Sequence, residues 1–430
     1  MFRLEAHPVA RSCAVANSHI PAGSSILRET SLAYVLLSSQ KGKRCDTCFR
    51  KSLGASTLKR CTGCASYWYC DAKCQTIQWQ INHKQICKKY SRWIASPEYQ
   101  TLAEHERMDA ILLSHLVAQF STNKLVNDEN NSPPAVFLSL LPGPLSDIRL
   151  PPLCASSLLT EQRIQQLYSR FGNNNFVVHS HFTTVGHGIF PTASRSFNHS
   201  CLPNAAAKYH FTSALPPVME MVALRDIAQG EEICLPYLDP ALLQTRKQML
   251  EFIYGFSCVC QSCLQLQPVP TPPSGEEAVL RLGKSLRDDL GLKDGIHPPL
   301  QYKGLGDLPV QLRSALHEDY LTSLSEIFSK SSHEGDYPLA NDSGLILLAL
   351  YTFIYPPNYP QIGIHLLELA KTWWNELVAS SPLPNKKHII EGQVKMALSL
   401  ARGILNIVGP EGDEDGPLHE IETLQNLLDH

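Results

Sequence analysis

The sequence predicts a multidomain α+β protein, and three features carry this prediction. Short apolar runs separated by turn residues at 1–40 and 160–240 are typical of strands and hairpins. A cluster of cysteines at 45–87 indicates a module built around metal ions. Beyond the proline-rich linker 266–275, apolar residues recur at helical spacing and predict an all-helical C-terminal region. Its helices are expected at 276–291, 312–331, 343–355, 360–379, 386–408 and 417–429.

The stretch between the two strand-rich regions also has a mixed pattern. Residues 100–120 show the apolar spacing of a helix. Residues 123–153 are rich in Asn, Asp, Pro and Gly, and we expect a long loop or insertion there.

Length and composition exclude several classes of protein. The 430 residues suffice for several domains, and 43% hydrophobic with 18% charged residues is an ordinary globular balance. No run of about 18 apolar residues is present, and the N-terminus lacks the apolar core of a signal peptide. We therefore expect a protein of the cytoplasm, the nucleus or both, without a membrane partner. In that reducing environment, fourteen cysteines indicate metal ligands rather than disulfides.

Charge is distributed unevenly along the chain. Residues 41–92 contain twelve Lys or Arg and two acidic residues, whereas 410–430 contain seven Asp or Glu and no Lys or Arg. A basic module could contact nucleic acid or an acidic protein. We favour the simpler interpretation that both stretches are solvated surfaces, since no C2H2-type helix pattern accompanies the basic residues. Nucleic acid is therefore not an expected partner.

The cysteine cluster contains four ligand pairs whose spacing suits zinc. They are Cys45-x2-Cys48, Cys61-x2-Cys64, Cys70-x3-Cys74 and His83-x3-Cys87. Because zinc takes four tetrahedral thiolate or imidazole ligands, these eight ligands predict two zinc ions. His83 and Cys87 can face the same way from one helical turn. Such a small region cannot build an apolar core, so metal binding must supply its folding energy.

This cluster resembles the MYND zinc finger, in which two metal sites interleave. Aromatic residues at Trp68, Tyr69 and Trp79 stand where such fingers carry them. MYND fingers usually bind proteins, so the resemblance implies a protein partner. It also implies one site made by Cys45, Cys48, Cys70 and Cys74 and another made by Cys61, Cys64, His83 and Cys87.

Three later motifs strongly resemble a SET methyltransferase domain followed by its cysteine-rich post-SET segment. They are Ser-Phe-Asn-His-Ser-Cys-Leu-Pro-Asn at 196–204, Gly-Glu-Glu-Ile-Cys-Leu-Pro-Tyr-Leu-Asp at 230–239 and Phe-Ser-Cys-Val-Cys-Gln-Ser-Cys at 256–263. Together with the inserted finger, they make the chain similar to the SET and MYND (SMYD) family of protein-lysine methyltransferases. The resemblance covers residues 1–265, and the helical region resembles the tetratricopeptide-like C-terminal domain of that family only in length and type.

The resemblance implies six segments. They are the N-terminal part of the SET domain at 1–44, the MYND finger at 45–87, a helical insertion at 88–160, the C-terminal part of the SET domain at 161–240, the post-SET segment at 241–265 and the helical C-terminal domain at 276–430.

The family's chemistry implies S-adenosylmethionine as the methyl donor and a lysine of a histone or non-histone protein as the acceptor. Tyr237 matches the active-site tyrosine, whose hydroxyl would orient the amine and assist its proton loss. A lysine with a pKa of about 10.4 must become neutral before it attacks, and an aromatic channel favours the neutral form by desolvation. Phe176 and Tyr254 are expected to line this channel.

The same resemblance implies the cofactor contacts and a third zinc site. In the family, the Asn-His segment and the tyrosine segment pack together in a knot-like crossing, a rare topology. Cys258, Cys260 and Cys263 supply three thiolates, and the family takes the fourth from the position of Cys201. The expected cofactor-binding residues are Arg11, His115, Asn174, Asn198, His199, Tyr237 and Phe256.

The sequence departs from the family pattern in two places. The family usually carries Gly-x-Gly where this chain has Arg11-Ser12-Cys13, and those side chains could crowd the cofactor. Arg11 could instead pair with the cofactor carboxylate. Pro236 restricts the backbone directly before the tyrosine. The alternative function is therefore a weakly active or inactive scaffold that binds proteins through its finger and its helical tail.

Overall fold

The computed structural model describes residues 1–52, 58–121, 132–143, 149–154, 159–293, 295–380 and 383–429. Within these ranges, the strands are β1 Phe2–His7, β2 Arg11–Ala16, β3 Ser25–Thr30, β4 Ala33–Leu36, β5 Lys59–Arg60, β6 Trp68–Tyr69, β7 Asn175–Ser180, β8 Thr183–Ile189, β9 Asn198–His199, β10 Ala205–His210, β11 Val218–Ala223 and β12 Cys234–Leu235.

The helices are α1 Ala72–Gln78, α2 Lys84–Ile94, α3 Pro97–Gln100, α4 Glu104–Phe120, α5 Pro133–Ser139, α6 Glu161–Phe171, α7 Pro191–Ser196, α8 Arg246–Met249, α9 Gln261–Gln265, α10 Glu276–Asp289, α11 Glu318–Glu334, α12 Tyr337–Ile354, α13 Pro360–Ser380, α14 Pro384–Val408 and α15 Pro417–Asp429. Two π-helical turns lie at Trp79–His83 and Leu250–Tyr254, and short 3-10 helices lie at Ser38–Gln40, Leu305–Asp307 and Val310–Leu316.

Three small antiparallel sheets form the core of the first part of the chain. β1 pairs with β2, β11 lies between β3 and β10, and β8 lies between β4 and β7. Apolar side chains of these sheets meet in one buried cluster that includes Tyr34, Phe190 and Tyr209. β4 is buried over its whole length because α4 covers it as well as β8. The predicted β-rich core is thereby confirmed.

A short parallel pair joins the two later motifs. β9 pairs with β12, so that Asn198 lies opposite Cys234 and His199 lies opposite Leu235. The side-chain oxygen of Asn204 accepts a hydrogen bond from the Cys234 N–H at 2.8 Å and holds β12 from the other side. Because parallel neighbours cannot be joined by a tight turn, this contact brings together segments that are far apart in sequence. The pairing agrees with the crossing that the family resemblance implies.

The finger and the helical insertion form a second packed unit. α1, the π-helical turn at Trp79–His83 and α2 follow one another as a continuous helical rod, and α4 packs against that rod. Helix α5 interrupts the stretch 123–153 that we expected to be a long loop, because its prolines occupy the first turn, where a missing N–H is harmless. Parts of that stretch, at 123–131 and 144–148, lie outside the described residues.

Helices α10 to α15 form the predicted all-helical region. α12 is its central helix and is buried on all sides over its C-terminal part. The apolar pattern predicted a start at 343, but the helix begins at Tyr337. The Asp336 side chain accepts a hydrogen bond from the Leu339 N–H at 3.3 Å, and Pro338 lies in the first turn, so capping starts the helix before the apolar stretch. Among the described residues, no helix has both the length and the apolar character needed to cross a membrane.

The loop between α14 and α15 docks against the first part of the chain. The Gly412 N–H donates to the Tyr209 carbonyl at 2.7 Å, beside β10. The Arg44 guanidinium donates two hydrogen bonds to the Asp413 carboxylate, at 2.9 and 2.5 Å. The base of the finger, the core sheets and the helical region therefore meet at this loop.

Candidate metal centres and active site

The first predicted zinc site is assembled from two turns of the finger. Its four thiols lie within 4.8 Å of one another, and the Sγ atoms of Cys48 and Cys70 are 3.6 Å apart. Asp71 caps α1 by accepting a hydrogen bond from the Cys74 N–H at 2.9 Å, which fixes that ligand at the helix N-terminus. The Asp46 carboxylate accepts from the Trp68 N–H at 2.8 Å and ties the first ligand turn to β6.

The second site lies beside the first and has one histidine. The Cys61 Sγ is 3.4 Å from the His83 Nε2 and 3.7 Å from the Cys87 Sγ. The ring of Tyr67 packs 4.3 Å from that of His83 and orients it. A Cβ atom at Gly63 would stand 2.7 Å from the Cys87 Sγ, so the ligand turn requires glycine there.

The third site joins the crossing region to the post-SET segment. The Cys201 Sγ is 4.0 Å from the Cys258 Sγ and 3.5 Å from the Cys263 Sγ, and Cys260 completes the set. Cys201 precedes Cys258 by 57 residues, so this site closes a long loop.

The spacing of the sulfur atoms tests whether these clusters suit a metal ion. Four thiolates at about 2.3 Å from a tetrahedral zinc lie about 3.8 Å from one another. The observed sulfur–sulfur distances of 3.5 to 4.0 Å match that edge. They are far longer than the bond of about 2.05 Å in a disulfide, and all cysteines are free. Three clusters are thus built to hold one zinc ion each, in the pairing that the family resemblance implies.

A buried arginine faces the third cluster. Arg246 is 1% exposed, and its guanidinium donates to the Pro240 carbonyl at 2.8 Å and to the Ser262 hydroxyl at 2.7 Å. Its positive charge favours the thiolate forms of Cys201 and Cys263. Sequence reasoning missed Arg246, and the one signal for it was a cation between apolar positions of a short helical stretch.

Tyr237 lies beside the third cluster in a group of aromatic rings. Its ring centroid is 4.9 Å from that of Tyr254 and 6.4 Å from that of Phe256. Its hydroxyl donates to the Phe197 carbonyl at 2.8 Å. Burial raises the pKa of Tyr237 above its ordinary value. The phenol therefore stays protonated at neutral pH and is suited to hydrogen bonding, and its help with proton loss stays a prediction.

Asn198 and His199 connect the tyrosine segment to β2 and to the third cluster. The Asn198 amide donates to the Ser12 carbonyl at 3.1 Å and to the Glu232 carboxylate at 2.8 Å. The His199 Nδ1 accepts from the Tyr237 N–H at 2.9 Å. Burial lowers the pKa of His199 to about 4, so its ring is neutral. Glu232 therefore positions the Asn198 side chain.

Arg11 directly precedes Ser12 on β2 and has an unusual backbone conformation. It has a φ of 65°, in the left-handed region that glycine prefers, and its guanidinium donates to the Ser139 carbonyl at 2.6 Å. The chain therefore keeps the backbone conformation that a glycine would supply, while a side chain projects from it. These contacts connect Asn198, His199, Tyr237, Tyr254 and Phe256, and Arg11 directly precedes Ser12, which Asn198 contacts.

Two other predicted site residues, Asn174 and Phe176, have structural contacts. The Asn174 amide donates to the Arg170 carbonyl at 2.6 Å and closes the end of α6. The Phe176 ring packs 5.8 Å from the Phe190 ring inside the core sheet. These placements explain the polar and aromatic character of both residues without a ligand, so their roles toward cofactor and substrate stay predictions.

His115, a further predicted cofactor contact, has protein partners at both of its ring nitrogens. Its side chain is 1% exposed, its Nε2 pairs with the Tyr67 hydroxyl at 2.8 Å, and its Nδ1 lies 2.9 Å from the Tyr34 carbonyl. Burial lowers the pKa of His115 to about 3. His115 thus joins the finger to the core sheet, and its role toward the cofactor stays a prediction.

The chain also has a cavity of about 290 Å³ away from these residues. It lies between the β7–β8 turn and the loop that follows α14, and Phe182, Phe211 and Leu405 form part of its wall. None of the predicted cofactor or channel residues lines it. The cavity is therefore separate from the site around Tyr237.

Known proteins are similar to the part of the chain that contains Asn198, His199 and Tyr237. A family model described as SET domain matches residues 12–238. The human histone-lysine N-methyltransferase SMYD3 is 27% identical over 270 residues, which cover 60% of this chain and 60% of the relative. The bovine N-lysine methyltransferase SMYD2 is 25% identical over 312 residues, with 67% and 68% covered. Human SMYD2 is 23% identical over 370 residues, with 79% and 80% covered. The chain thus spans about 60% of the length of the first of these relatives.

Proposed function

Since the chain belongs to the SET-domain family, and within it to the group that combines SET and MYND domains, we propose that it is a protein-lysine N-methyltransferase. Its substrate would be an exposed lysine of a histone or non-histone protein, and its methyl donor S-adenosylmethionine. One observation carries this proposal: Tyr237 is held by His199 and Phe197 against Tyr254 and the third thiol cluster. That arrangement places a neutral phenol within an aromatic wall.

The side chains around Tyr237 have two tasks in such a reaction. S-adenosylmethionine, when bound, supplies a methyl group on a positively charged sulfur. The Tyr237 hydroxyl donates its hydrogen bond to the Phe197 carbonyl, so its oxygen lone pairs remain available to orient an incoming amine. Tyr237, Tyr254 and Phe256 exclude water, which favours the neutral form of the lysine over its charged form. The chain thus orients and desolvates the amine without a residue acting as a strong base.

The residues near the cofactor would hold it through β2 and β9. Asn198 has both amide hydrogens occupied, by Ser12 and Glu232, and this fixes the direction of its remaining oxygen. Arg11 offers a guanidinium for the cofactor carboxylate, although in the structure it donates to Ser139. The three zinc ions would be structural, because each cluster has four protein ligands and no open position.

The second candidate function is a protein-binding scaffold, and the side chains of Arg11 and Cys13 favour it. Both stand where the family has glycine, and Cys13 is buried. The finger and the helical region would then supply the contacts with other proteins. We also propose a location in the cytoplasm or nucleus, because the free thiols of three metal clusters need a reducing compartment.

Binding of S-adenosylmethionine separates these two candidates. We expect calorimetry on zinc-replete protein to show binding at micromolar concentration, and we expect Asn198→Ala to weaken it because that change frees β2 from β9. Well-folded wild-type protein that fails to bind would favour the scaffold.

Turnover tests the role of the tyrosine. We expect Tyr237→Phe to bind the cofactor normally and to lose about a hundredfold in turnover, since it keeps the ring and removes the oxygen that orients the amine. The assay would measure methyl transfer to a mixture of histones and other lysine-containing proteins. Wild-type turnover in this variant would contradict the assigned role.

A further inference from the structure

His199 lies between the third thiol cluster and Tyr237 and contacts both. On one side, its Nδ1 is 2.9 Å from the backbone nitrogen of Tyr237. On the other side, its Nε2 is 3.2 Å from the Cys201 Sγ. The rings of Tyr237 and Phe256 pack against it, with centroids 5.4 and 6.0 Å away. The imidazole is therefore held at both nitrogens and by two tilted aromatic rings.

The hydrogen-bond roles of the two nitrogens follow from the backbone. The N–H of Tyr237 can only donate, so the Nδ1 of His199 must accept through its lone pair. An imidazole with a free lone pair on Nδ1 is neutral and carries its proton on Nε2. That N–H then donates to the Cys201 sulfur, which accepts best as a metal-bound thiolate.

The chain around Tyr237 explains why a side chain makes this bond. Parallel pairing of β9 with β12 ends at the pair His199–Leu235. The next residue, Pro236, has no N–H to offer to a strand partner. The first backbone donor after β12 is therefore the N–H of Tyr237, and the His199 ring receives it. His199 thus continues the strand contact through its side chain at the point where proline ends it.

We propose that His199 is a positioning residue through which the third metal site sets the orientation of Tyr237. This inference rests on the proposed function, in which Tyr237 orients the amine. Cys201 is fixed by the metal site that it shares with Cys258, Cys260 and Cys263, and it fixes the Nε2 side of the ring. The Nδ1 side then holds the Tyr237 backbone, and the Tyr237 hydroxyl reaches Phe197 from that position.

Two substitutions separate the two bonds. His199→Asn places an amide at the position of Nδ1, so it can still accept from Tyr237 but does not reach Cys201. His199→Gln places an amide near the position of Nε2, so it can still donate to Cys201 but leaves the Tyr237 N–H without its acceptor. Because orientation requires both ends, we expect each variant to lose about tenfold or more in kcat. The KM for the protein substrate should change less than about twofold in both.

NMR of protein loaded with cadmium gives a readout that does not depend on activity. A hydrogen bond to a ligating thiolate alters the electron density at the metal, so its loss shifts the cadmium signal of that site. We expect His199→Asn to shift one of the three cadmium signals, whereas His199→Gln leaves all three near their wild-type positions. Wild-type kcat in both variants, or three unchanged cadmium signals in His199→Asn, would overturn the proposal.

The fluorine signal of fluorotyrosine at position 237 separates this inference from the proposed function. We expect His199→Gln to shift that signal relative to the labelled wild type, because the backbone of the tyrosine loses its anchor. If the wild type transfers no methyl group but this shift and the cadmium shift are both seen, the proposed function fails and the link between metal site and Tyr237 stands. An unchanged fluorine signal in His199→Gln overturns the link whatever the activity.

Discussion

The two metal sites of the finger and the third metal site are built in opposite ways. The finger takes all its ligands from one stretch, Cys45 to Cys87, and seven of those eight are buried. The third site combines Cys201 with a segment 57 residues later, and it leaves Cys260 and Cys263 partly exposed. A local site stabilises its own module. A site made from distant segments also fixes the geometry of whatever lies between them, which here is Tyr237.

The largest effect is expected when one ligand is removed from each kind of site. Cys258→Ser and Cys64→Ser should each lower the zinc content from three to two ions per chain. We expect Cys258→Ser to lose about a thousandfold in turnover, because the post-SET segment no longer holds Tyr254 and Phe256 against Tyr237. Cys64→Ser should lower the unfolding temperature instead and leave turnover per folded molecule within about tenfold of wild type.

Zinc analysis, thermal unfolding and turnover on the same samples decide this test. Equal losses of turnover in the two variants would break the distinction between a local and a connecting site. Cys13→Ser is a matched control, because it changes a buried thiol outside the three clusters. It should keep three zinc ions per chain.

Exposure of the ligands predicts the order in which chelation removes the three ions. Cys260 and Cys263 are partly exposed, whereas all four ligands of the second finger site are buried. We therefore expect a chelator to remove the third zinc first, and turnover should disappear when about one ion per chain has been released. Release followed by a coloured chelator, with turnover measured in parallel, tests this order. Turnover that persists until two ions are lost would refute it.

The same contrast explains what could be predicted from the sequence. The finger ligands were predictable because each pair is local and its spacing is specific to zinc. The fourth ligand of the third site, Cys201, needed the family resemblance, since no spacing connects it to Cys258. Neither residue spacing nor the family resemblance could predict the partners of His115. Its two partners, Tyr67 and Tyr34, lie 48 and 81 residues away, and only tertiary packing brings them to its ring.

Backbone conformation was a second feature that the sequence did not predict. The departure from Gly-x-Gly was visible in the sequence, but the left-handed φ of Arg11 was not, because side-chain identity alone does not reveal which strained conformations the fold imposes. In the helical region, periodicity predicted that α12 exists, whereas its start depended on the capping of Asp336. Apolar spacing reports the buried face of a helix and does not locate a start that a capping residue sets.

One contact qualifies the view of the finger as an independent module, since Arg44 at its base is paired with Asp413. Arg44 is almost fully buried, so Asp413→Asn would leave a buried cation without its ionic partner. We expect the free energy of unfolding to fall by about 2 kcal/mol, the value of a hydrogen bond to a charged group. Denaturant unfolding at neutral pH measures it. Glu414→Gln is the matched control, because its contact with Arg50 is exposed and 3.6 Å long, and its effect should stay below about 1 kcal/mol.

Acid should have the same effect as the Asp413 substitution. Burial alone would raise the pKa of Asp413, but the hydrogen bonds from Arg44 outweigh it and lower that pKa below its ordinary value. A carboxyl group with a lowered pKa stabilises the fold above its unfolded pKa, and this contribution is lost as the pH falls through the folded value. The difference in stability between wild type and Asp413→Asn should therefore shrink on acidification. A difference that grows instead would contradict the pairing.

The smallest effect is expected at Arg11, the first residue of β2. Arg11→Gly should relieve the left-handed backbone, which costs a non-glycine residue about 1 kcal/mol, and it removes the hydrogen bond to Ser139. These changes oppose each other, so we expect stability within about 1 kcal/mol of wild type. Arg11→Ala loses the same bond and keeps the strain, so it should be less stable than Arg11→Gly. If both variants bind S-adenosylmethionine like the wild type, the side chain of Arg11 neither crowds the cofactor nor pairs with it. The family's glycine would then be required at this position only for its left-handed backbone conformation.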